Sequence, residues 1–159
     1  PDLLLLHWPK TTPPFAETIG ALNEAKDKGF TRNIGLSNFP SAQFREAQDL
    51  SKARLITNQV EYHPYLKLTQ LLETARELGS SITAWSPLAQ GNVADDPTLK
   101  EIGDHHGKTA AQVTLRWLIQ QDVIAIPRTT KVHRSGMGCG PRMRPHLETG
   151  RAGRTADSH

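Results

Sequence analysis

Five short apolar runs are spaced along the chain, and each is followed by polar residues. Runs of this length, bounded by Gly, Pro or Asn, are typical of strands that are covered on both faces of a parallel sheet. The runs are Leu3–Leu6, "NIGLSNF" at 33–39, "LITNQV" at 55–60, "SITAW" at 81–85 and "VIAIP" at 123–127. They predict five β-strands.

Between these runs, apolar residues recur at every third or fourth position, which predicts amphipathic helices. The first such stripe begins at Phe15 and stops at Gly29, a residue type that commonly ends helices. We expect Ser41 to cap the second helix. Thr109 and Gln112 have the spacing of a capping box at the start of the last helix.

Strand and helix patterns alternate along the whole of this region. That order is typical of α/β proteins, in which right-handed crossovers place parallel strands side by side. An open doubly wound sheet and a barrel both fit, and five strands alone do not close a barrel. The stretch "QGNVADDP" at 90–97 is rich in Asp, Asn and Pro and predicts a loop after the fourth strand.

Polar or aromatic side chains occupy the carboxyl end of each predicted strand. The pairs are His7 and Trp8, Ser37 and Asn38, Asn58 and Gln59, Trp85 and Ser86, and Arg128 and Thr129. Ligands bind at this edge in α/β barrels and at the switch point of open sheets, so we expect the pairs to converge on one pocket. Each also has a structural alternative. His7 and Trp85 could be core residues, and the Ser-Asn pair could be an ordinary turn.

The usual sequence motifs for phosphate and metal binding are missing. No G-x-G-x-x-G or G-x-x-x-x-G-K-[ST] loop follows a strand, so a nucleotide would have to be held by side chains. The glycine-rich stretch "GMGCG" at 136–140 has no strand or helix pattern beside it. His105 and His106 are adjacent on a predicted helix and face different directions, and we expect no metal site.

Composition limits the class of protein. The 159 residues are 36% hydrophobic and 22% charged, which is typical of a soluble globular protein. The single cysteine, Cys139, excludes an intrachain disulfide. No apolar run approaches the roughly 20 residues of a spanning helix, and no signal-peptide pattern opens the chain. We therefore expect a cytoplasmic protein without a membrane partner.

The positive charge is concentrated at the end of the chain. Residues 135–159 contain four Arg, one Glu and one Asp, which supplies +2 of the net +3. A nucleic-acid-binding function would rest on this tail alone, so we expect no nucleic-acid partner. The tail also lacks Ile, Val, Phe, Tyr and Trp, and we expect it to be disordered or translated out of frame.

Five motifs occur together in the order and approximate spacing of one known family. They are "DLLLLHWP", "IGLSNF", "NQVEYHPY", "AWSPLAQG" and "AIPRTTK". The set resembles the aldo-keto reductase family, and within it the bacterial 2,5-diketo-D-gluconate reductase type, partly because Trp85 stands where many members have Tyr. The resemblance extends from Pro1 to Arg134. It implies the last five strands of a (β/α)₈ barrel, with their helices.

The resemblance also implies NADPH-dependent reduction of a carbonyl group in an aldehyde, ketone or keto-sugar. His7 would orient the carbonyl, and Trp8 would line the substrate pocket. The implied cofactor contacts are Ser37, Asn38 and Gln59 at the nicotinamide carboxamide, Trp85 stacked on the nicotinamide ring, Ser86 and Leu88 at the pyrophosphate, and Arg128, Thr129 and Arg134 at the 2′-phosphate.

The chain departs from the family pattern upstream of the His. The family's catalytic Asp, Tyr and Lys precede that position, and this sequence has no residues there. We therefore expect a C-terminal fragment that is inactive alone, with residues 1–134 as a partial barrel and 135–159 as a tail, from a monomeric parent enzyme. A non-catalytic member that binds the nucleotide or another protein is the alternative. We expect Glu61, Tyr62 and His63 to be structural.

Overall fold

Strands and helices alternate in the computed structural model, which describes residues 1–10 and 12–129. The first half contains β1 (Leu3–Leu6), α1 (Phe15–Asp27), β2 (Asn33–Ser37), α2 (Ser41–Leu50) and β3 (Leu55–Glu61). The second half contains α3 (Thr69–Glu77), β4 (Ser81–Trp85), a 3₁₀ segment (Ala89–Asp95), α4 (Pro97–His106), α5 (Ala110–Ile119) and β5 (Val123–Ala125). The predicted α/β class is confirmed.

All five strands form one parallel sheet in chain order, from β1 to β5. Their carboxyl ends therefore lie along the same edge. Ile34 pairs with Leu55, but a register shift follows, so that Ser37 pairs with Gln59. Because a slip of one residue exchanges the two faces of a strand, this shift determines which side chains of β2 and β3 become neighbours.

The helices bury their apolar stripes against the sheet. Ile19, Phe44 and Leu118 come from three helices and have no exposed surface, and they belong to the same core cluster as Ile34 and Leu55 of the strands. Burying one such side chain stabilises the fold by about 1.5–3 kcal/mol. The packed helical layer thus holds the strands, and their carboxyl ends, in fixed relative positions.

The predictions for the two helix starts had different outcomes. The capping box at α5 is confirmed, because Gln112 N donates to Thr109 Oγ1 at 3.3 Å and Thr109 N donates to Gln112 Oε1 at 3.0 Å. The prediction that Ser41 caps α2 is wrong. Ser41 is the first helical residue, and the carbonyl of Pro40 accepts the first helical hydrogen bond, from Phe44 N at 2.9 Å. The helix therefore begins one residue earlier than expected.

Gly35 lies in the middle of the sheet, where a side chain has no room. A Cβ at Gly35 would lie 2.7 Å from the backbone oxygen of Thr57 and 2.9 Å from Leu5 Cδ2. We expect Gly35→Ala to lower the free energy of unfolding by about 1–3 kcal/mol, because overpacking forces the backbone to shift. Urea denaturation measures this change.

Gly20→Ala is the matched control for that substitution. Nothing lies within 4 Å of a Cβ at Gly20, which is in α1. Ala is favoured over Gly in a helix by about 0.5–1 kcal/mol, so this variant should be slightly stabilised. Equal unfolding midpoints for the two variants would contradict the close packing inferred around Gly35.

Residues Pro1–Arg128 form one compact unit, and Thr129 is the first residue of a second. The predicted boundary after Arg134 and the predicted disorder of 135–159 lie outside the described residues and stay predictions. Within the part of the chain that the structure describes, no helix is both long and apolar enough to cross a membrane.

Candidate functional site

The side-chain amide of Asn38 lies at the centre of the candidate site. Its Nδ2 donates hydrogen bonds to the backbone oxygen of His7 at 3.1 Å and to Ser37 Oγ at 3.0 Å. Its Oδ1 accepts a hydrogen bond from the indole Nε1 of Trp85 at 3.0 Å. One amide therefore joins the carboxyl ends of β1, β2 and β4, and the sequence-predicted residues His7, Ser37, Asn38 and Trp85 are brought together.

The backbone around Asn38 is fixed by the neighbouring strand. Asn38 has a φ of 66°, in the left-handed region that Asn adopts more readily than most residues. Its N–H donates to the backbone oxygen of Gln59 at 2.9 Å, and Ser37 Oγ donates to the same oxygen at 2.9 Å. The register shift between β2 and β3 places Gln59 beside these two groups, so the shift contributes directly to the site.

The hydrogen bond between Trp85 and Asn38 leads to a spectroscopic prediction. An indole N–H that donates to a protein acceptor is protected from solvent exchange, whereas Trp8 is 51% exposed. We expect Asn38→Ala to speed exchange of the Trp85 indole proton by about tenfold, the equivalent of one hydrogen bond of roughly 1.4 kcal/mol. The Trp8 indole signal serves as the internal control in the same NMR spectra. An unchanged Trp85 signal would count against this bond.

Three sequence-predicted residues at this edge, His7, Trp8 and Gln59, have side chains that a ligand can reach. His7 and Trp8 are exposed after β1, with ring centroids 6.1 Å apart, which excludes the alternative that His7 is a core residue. Gln59 is partly buried. Among the hydrogen bonds of the described residues, none involves the His7 imidazole or the Gln59 amide. Their polar atoms remain available for a ligand.

Asn58, the neighbour of Gln59, has a structural role instead. It is fully buried, its Nδ2 donates to the backbone oxygen of Phe39 at 2.8 Å, and its Oδ1 accepts from Phe39 N at 3.3 Å. Both ends of the amide are satisfied by one residue of the turn between β2 and α2. Of the two polar residues predicted at the end of β3, Gln59 alone is placed to meet a ligand.

Residues 86–96, which we call the β4–α4 connection, include most of the loop predicted at 90–97. The connection contains four residues with positive φ: Ser86 (47°), Ala89 (48°), Gln90 (56°) and Gly91 (103°). For a residue with a side chain, this conformation costs about 1–2 kcal/mol. Ala89 and Val93 are buried and anchor the segment from within. Costly backbone conformations persist only where surrounding contacts enforce them, and they cluster at ligand-binding segments.

The last side chain of β3 and the two that follow it contact other parts of the protein, in agreement with the expectation from the sequence. Tyr62 is 3% exposed, and its hydroxyl donates to Gln121 Oε1 at 2.9 Å. Burial raises the pKa of Tyr62, which makes its phenol a weaker acid. His63 is buried, and its Nε2 lies 3.7 Å from Glu61 Oε1. These contacts agree with a structural role for all three residues.

The residues predicted at the 2′-phosphate fall in different parts of the chain. Arg128 is exposed at the end of the first compact unit. Thr129 belongs to the second unit, and Arg134 lies outside the described residues. The predicted roles of Thr129 and Arg134 therefore stay predictions. Within residues 1–10 and 12–129, no group of three or more His, Cys, Asp or Glu side chains is placed to hold a metal ion.

Several known proteins are similar to this chain in sequence and in fold. The sequence profile of the Aldo/keto reductase family matches residues 1–135. A solved structure assigned as a 2,5-diketo-D-gluconic acid reductase B is 57% identical, with a TM-score of 0.81, over 84% of this chain and 48% of that chain. A Bombyx mori aldo-keto reductase in complex with NADP is 31% identical, with a TM-score of 0.75, over 84% of this chain and 49% of that one. Glyoxal reductase of Bacillus subtilis is 38% identical over 133 residues, 84% of this chain and 48% of that protein.

These matches decide between the architectures left open by the sequence. The parallel sheet with its helices matches part of the barrel of the family, so the predicted partial (β/α)₈ barrel is confirmed. The similarity to the 2,5-diketo-D-gluconate reductase type is also confirmed. The chain spans about half the length of the curated relatives it matches. Because the family profile matches most of its length, the chain belongs to the aldo/keto reductase family.

Proposed function

We propose that this chain forms the nicotinamide-binding and carbonyl-orienting part of an NADPH-dependent reductase of aldehydes, ketones or keto-sugars. The observation that carries the proposal is the hydrogen-bonded cluster around Asn38, which joins the ends of β1, β2 and β4. The exposed His7 and the partly buried Trp85 lie at the two ends of that cluster. The nicotinamide ring of the cofactor and the carbonyl group of the substrate can therefore meet at one sheet edge.

The polar groups around Asn38 fit the carboxamide of a nicotinamide. That carboxamide has two N–H donors and one carbonyl acceptor. Asn38 Oδ1 accepts one hydrogen bond from Trp85, which leaves its second lone pair for a carboxamide N–H. Gln59 offers both a donor and an acceptor. Ser37 is 2% exposed, and its Oγ donates to the backbone oxygen of Gln59 and accepts from Asn38, so it holds these two residues in place. Asn38 and Gln59 together offer the two acceptors and the one donor that the carboxamide needs.

Trp85 fits the proposed role of a platform for the nicotinamide ring. Offset stacking of two aromatic rings is worth about 0.5–1.5 kcal/mol beyond the area that it buries. The indole is only partly buried, and its Nε1 is held by Asn38. A platform fixed in this way would present a single face of the nicotinamide ring toward the substrate.

The phosphates of the dinucleotide would meet backbone and guanidinium groups. Ser86 and Leu88 are our candidates for the pyrophosphate, because they lie in the β4–α4 connection with its enforced positive-φ residues. Arg128 is our described candidate for the 2′-phosphate, since a guanidinium can form two parallel hydrogen bonds to a phosphate. The Bombyx mori relative in complex with NADP supports this choice of cofactor.

The chemistry divides between the cofactor and this chain's residues. NADPH, when bound, supplies a hydride to the carbonyl carbon of the substrate. His7 would donate a hydrogen bond to the carbonyl oxygen, which orients and polarises it, and Trp8 would form a wall of the substrate pocket. The reduced oxygen also needs a proton. The family takes it from a Tyr upstream of the His, so we propose that the proton donor is not on this chain.

Titration of the chain with NADPH tests the cofactor proposal. We expect saturable binding, and we expect Gln59→Leu to weaken it by about tenfold, because each neutral hydrogen bond contributes about 0.5–1.5 kcal/mol and Gln59 can form two. Gln43→Leu, at an exposed position on α2, is the control and should leave the affinity unchanged. Isothermal titration calorimetry gives all three dissociation constants. Absence of binding, or equal constants for the three proteins, would refute the proposal.

A further inference from the structure

Tyr65 and Asp96 connect two loops at the edge of the sheet that carries the candidate site. The hydroxyl of Tyr65 donates a hydrogen bond to Asp96 Oδ2 at 2.9 Å. Tyr65 lies four residues after the end of β3, and Asp96 is the last residue of the β4–α4 connection. Neither side chain belongs to the hydrogen-bonded cluster around Asn38.

Asp96 uses its two carboxylate oxygens for two different contacts. Oδ1 accepts from Leu99 N at 2.9 Å and thereby caps α4, while Oδ2 accepts from Tyr65. The pKa of Asp96 is lowered, first by the backbone N–H of Leu99 and then by the Tyr65 hydroxyl. The pKa of Tyr65 is raised, by desolvation and by the hydrogen bond to Asp96. Both directions are those of a phenol donating to a carboxylate.

The aromatic ring of Tyr65 is held by a neighbouring ring. Its ring packs edge-on against the ring of His63, with centroids 5.7 Å apart, and His63 is buried beside β3. The Tyr65 hydroxyl is therefore presented from a turn that is anchored by a buried ring, although Tyr65 itself is 48% exposed. A contact from a fixed support can restrain a segment that would otherwise sample other conformations.

The other contacts at the far end of the β4–α4 connection are local: Asp96 N donates to the backbone oxygen of Val93 at 3.4 Å, and Lys100 Nζ pairs with Asp95 Oδ1 at 3.1 Å. The connection leaves β4 at Ser86 with positive φ and continues through Ala89, Gln90 and Gly91 in the same region. Burial of Ala89 and Val93 anchors the middle of the segment. The cap of α4 holds Asp96 to the helix, but it does not hold the helix start to the sheet. Tyr65 supplies that second connection.

We infer that Tyr65 is a positioning residue, whose hydrogen bond to Asp96 holds the β4–α4 connection in the conformation that binds the dinucleotide. The inference rests on the proposed function for its ligand, because Ser86 and Leu88 are the proposed pyrophosphate contacts. Among the hydrogen bonds of the described residues, none joins the Tyr65 side chain to Ser86 or Leu88. It acts by lowering the conformational freedom that binding would otherwise have to remove.

Two matched variants separate this role from a general effect on stability. Tyr65→Phe and Tyr62→Phe each remove one phenol hydroxyl with a hydrogen bond of 2.9 Å to a side-chain oxygen. Tyr62 is the more buried of the two, so its loss should have the larger effect on unfolding. Hydrogen exchange followed by mass spectrometry reports on residues 86–96, and calorimetry reports on NADPH binding by the whole chain.

We expect Tyr65→Phe to speed amide exchange within residues 86–96 by about tenfold and to weaken NADPH binding by about three- to tenfold. Tyr62→Phe should leave exchange in that segment unchanged. Unchanged exchange in Tyr65→Phe would overturn the inference, as would faster exchange with an unaltered dissociation constant. Failure of the unmodified chain to bind NADPH would refute the proposed function instead, and the exchange data would still decide whether Tyr65 restrains the segment.

A third variant tests whether the effect passes through Asp96. Asp96→Ser keeps an oxygen that can cap Leu99 N but is too short to reach Tyr65 as well. In that background, Tyr65→Phe should cause no further change in exchange across residues 86–96. Additive effects of the two substitutions would show that Tyr65 acts by another route and would overturn the inference.

Discussion

No carbonyl reduction above background is expected when the purified 159-residue chain is mixed with NADPH and a panel of aldehydes and keto-sugars. Hydride transfer leaves a negative oxygen that must receive a proton, and general acid catalysis contributes about 10²–10⁴-fold to such reactions. The two tyrosines of this chain are poor substitutes. Both have raised pKa values, and their hydroxyls already donate to Gln121 and Asp96. Loss of NADPH absorbance, compared with the His7→Ala variant, measures the rate.

Coexpression with the missing part of a family member provides the positive control for this experiment. The part of the Bacillus subtilis glyoxal reductase that lies outside the 48% matched by this chain can be coexpressed with it. If that part supplies the family's Asp, Tyr and Lys, we expect turnover that disappears in His7→Ala. Turnover by this chain alone that depends on His7 would contradict the account, and Tyr62→Phe would then be the first variant to test for the proton donor.

Replacing Arg128 should change the preference between the two nicotinamide cofactors. A hydrogen bond to a charged group is worth about 1.5–3 kcal/mol, so Arg128→Ala should weaken NADPH binding by at least about tenfold. NADH has no 2′-phosphate, and its affinity should hardly change. Calorimetric dissociation constants for both cofactors check this expectation.

Arg116→Ala is the matched control for Arg128→Ala. Arg116 is also exposed, and it lies in the last turn of α5. Its replacement removes the same charge and should leave the ratio of the two dissociation constants unchanged. Equal losses of NADPH and NADH affinity in Arg128→Ala would remove the 2′-phosphate assignment of this residue.

The alternation of strands and helices could be predicted from the sequence because it depends on local patterns. Continuous apolar runs marked the strands, and stripes such as the one from Phe15 marked the helices, so β1 and α1 begin where they were expected. The convergence of polar residues followed from parallel topology, since all strands then end at one edge. His7, Asn38 and Trp85 meet there for that reason.

The contacts between these residues could not be predicted, because they depend on positions far apart in the chain. Asn38 and Trp85 are 47 residues apart, and their hydrogen bond requires β2 and β4 to lie on either side of β3. The register shift that sets Ser37 beside Gln59 has no local signal either. At Ala89 and Gln90, the sequence shows ordinary residues where the fold enforces positive φ. In this stretch, the neighbouring Gly91 was the one residue whose type indicated a positive φ.

The stacking of nicotinamide on Trp85 is the central claim, and nuclear Overhauser effects test it most directly. The chain is mixed with NADP⁺, and contacts are measured between the ring protons of Trp85 and those of the nicotinamide. We expect such contacts, together with upfield shifts of the nicotinamide protons, because aromatic stacking brings ring centroids within about 4.5–7 Å. The Trp85→Leu variant should lose both signals. Adenine protons that shift on binding while the nicotinamide protons show neither contact nor shift would contradict the account.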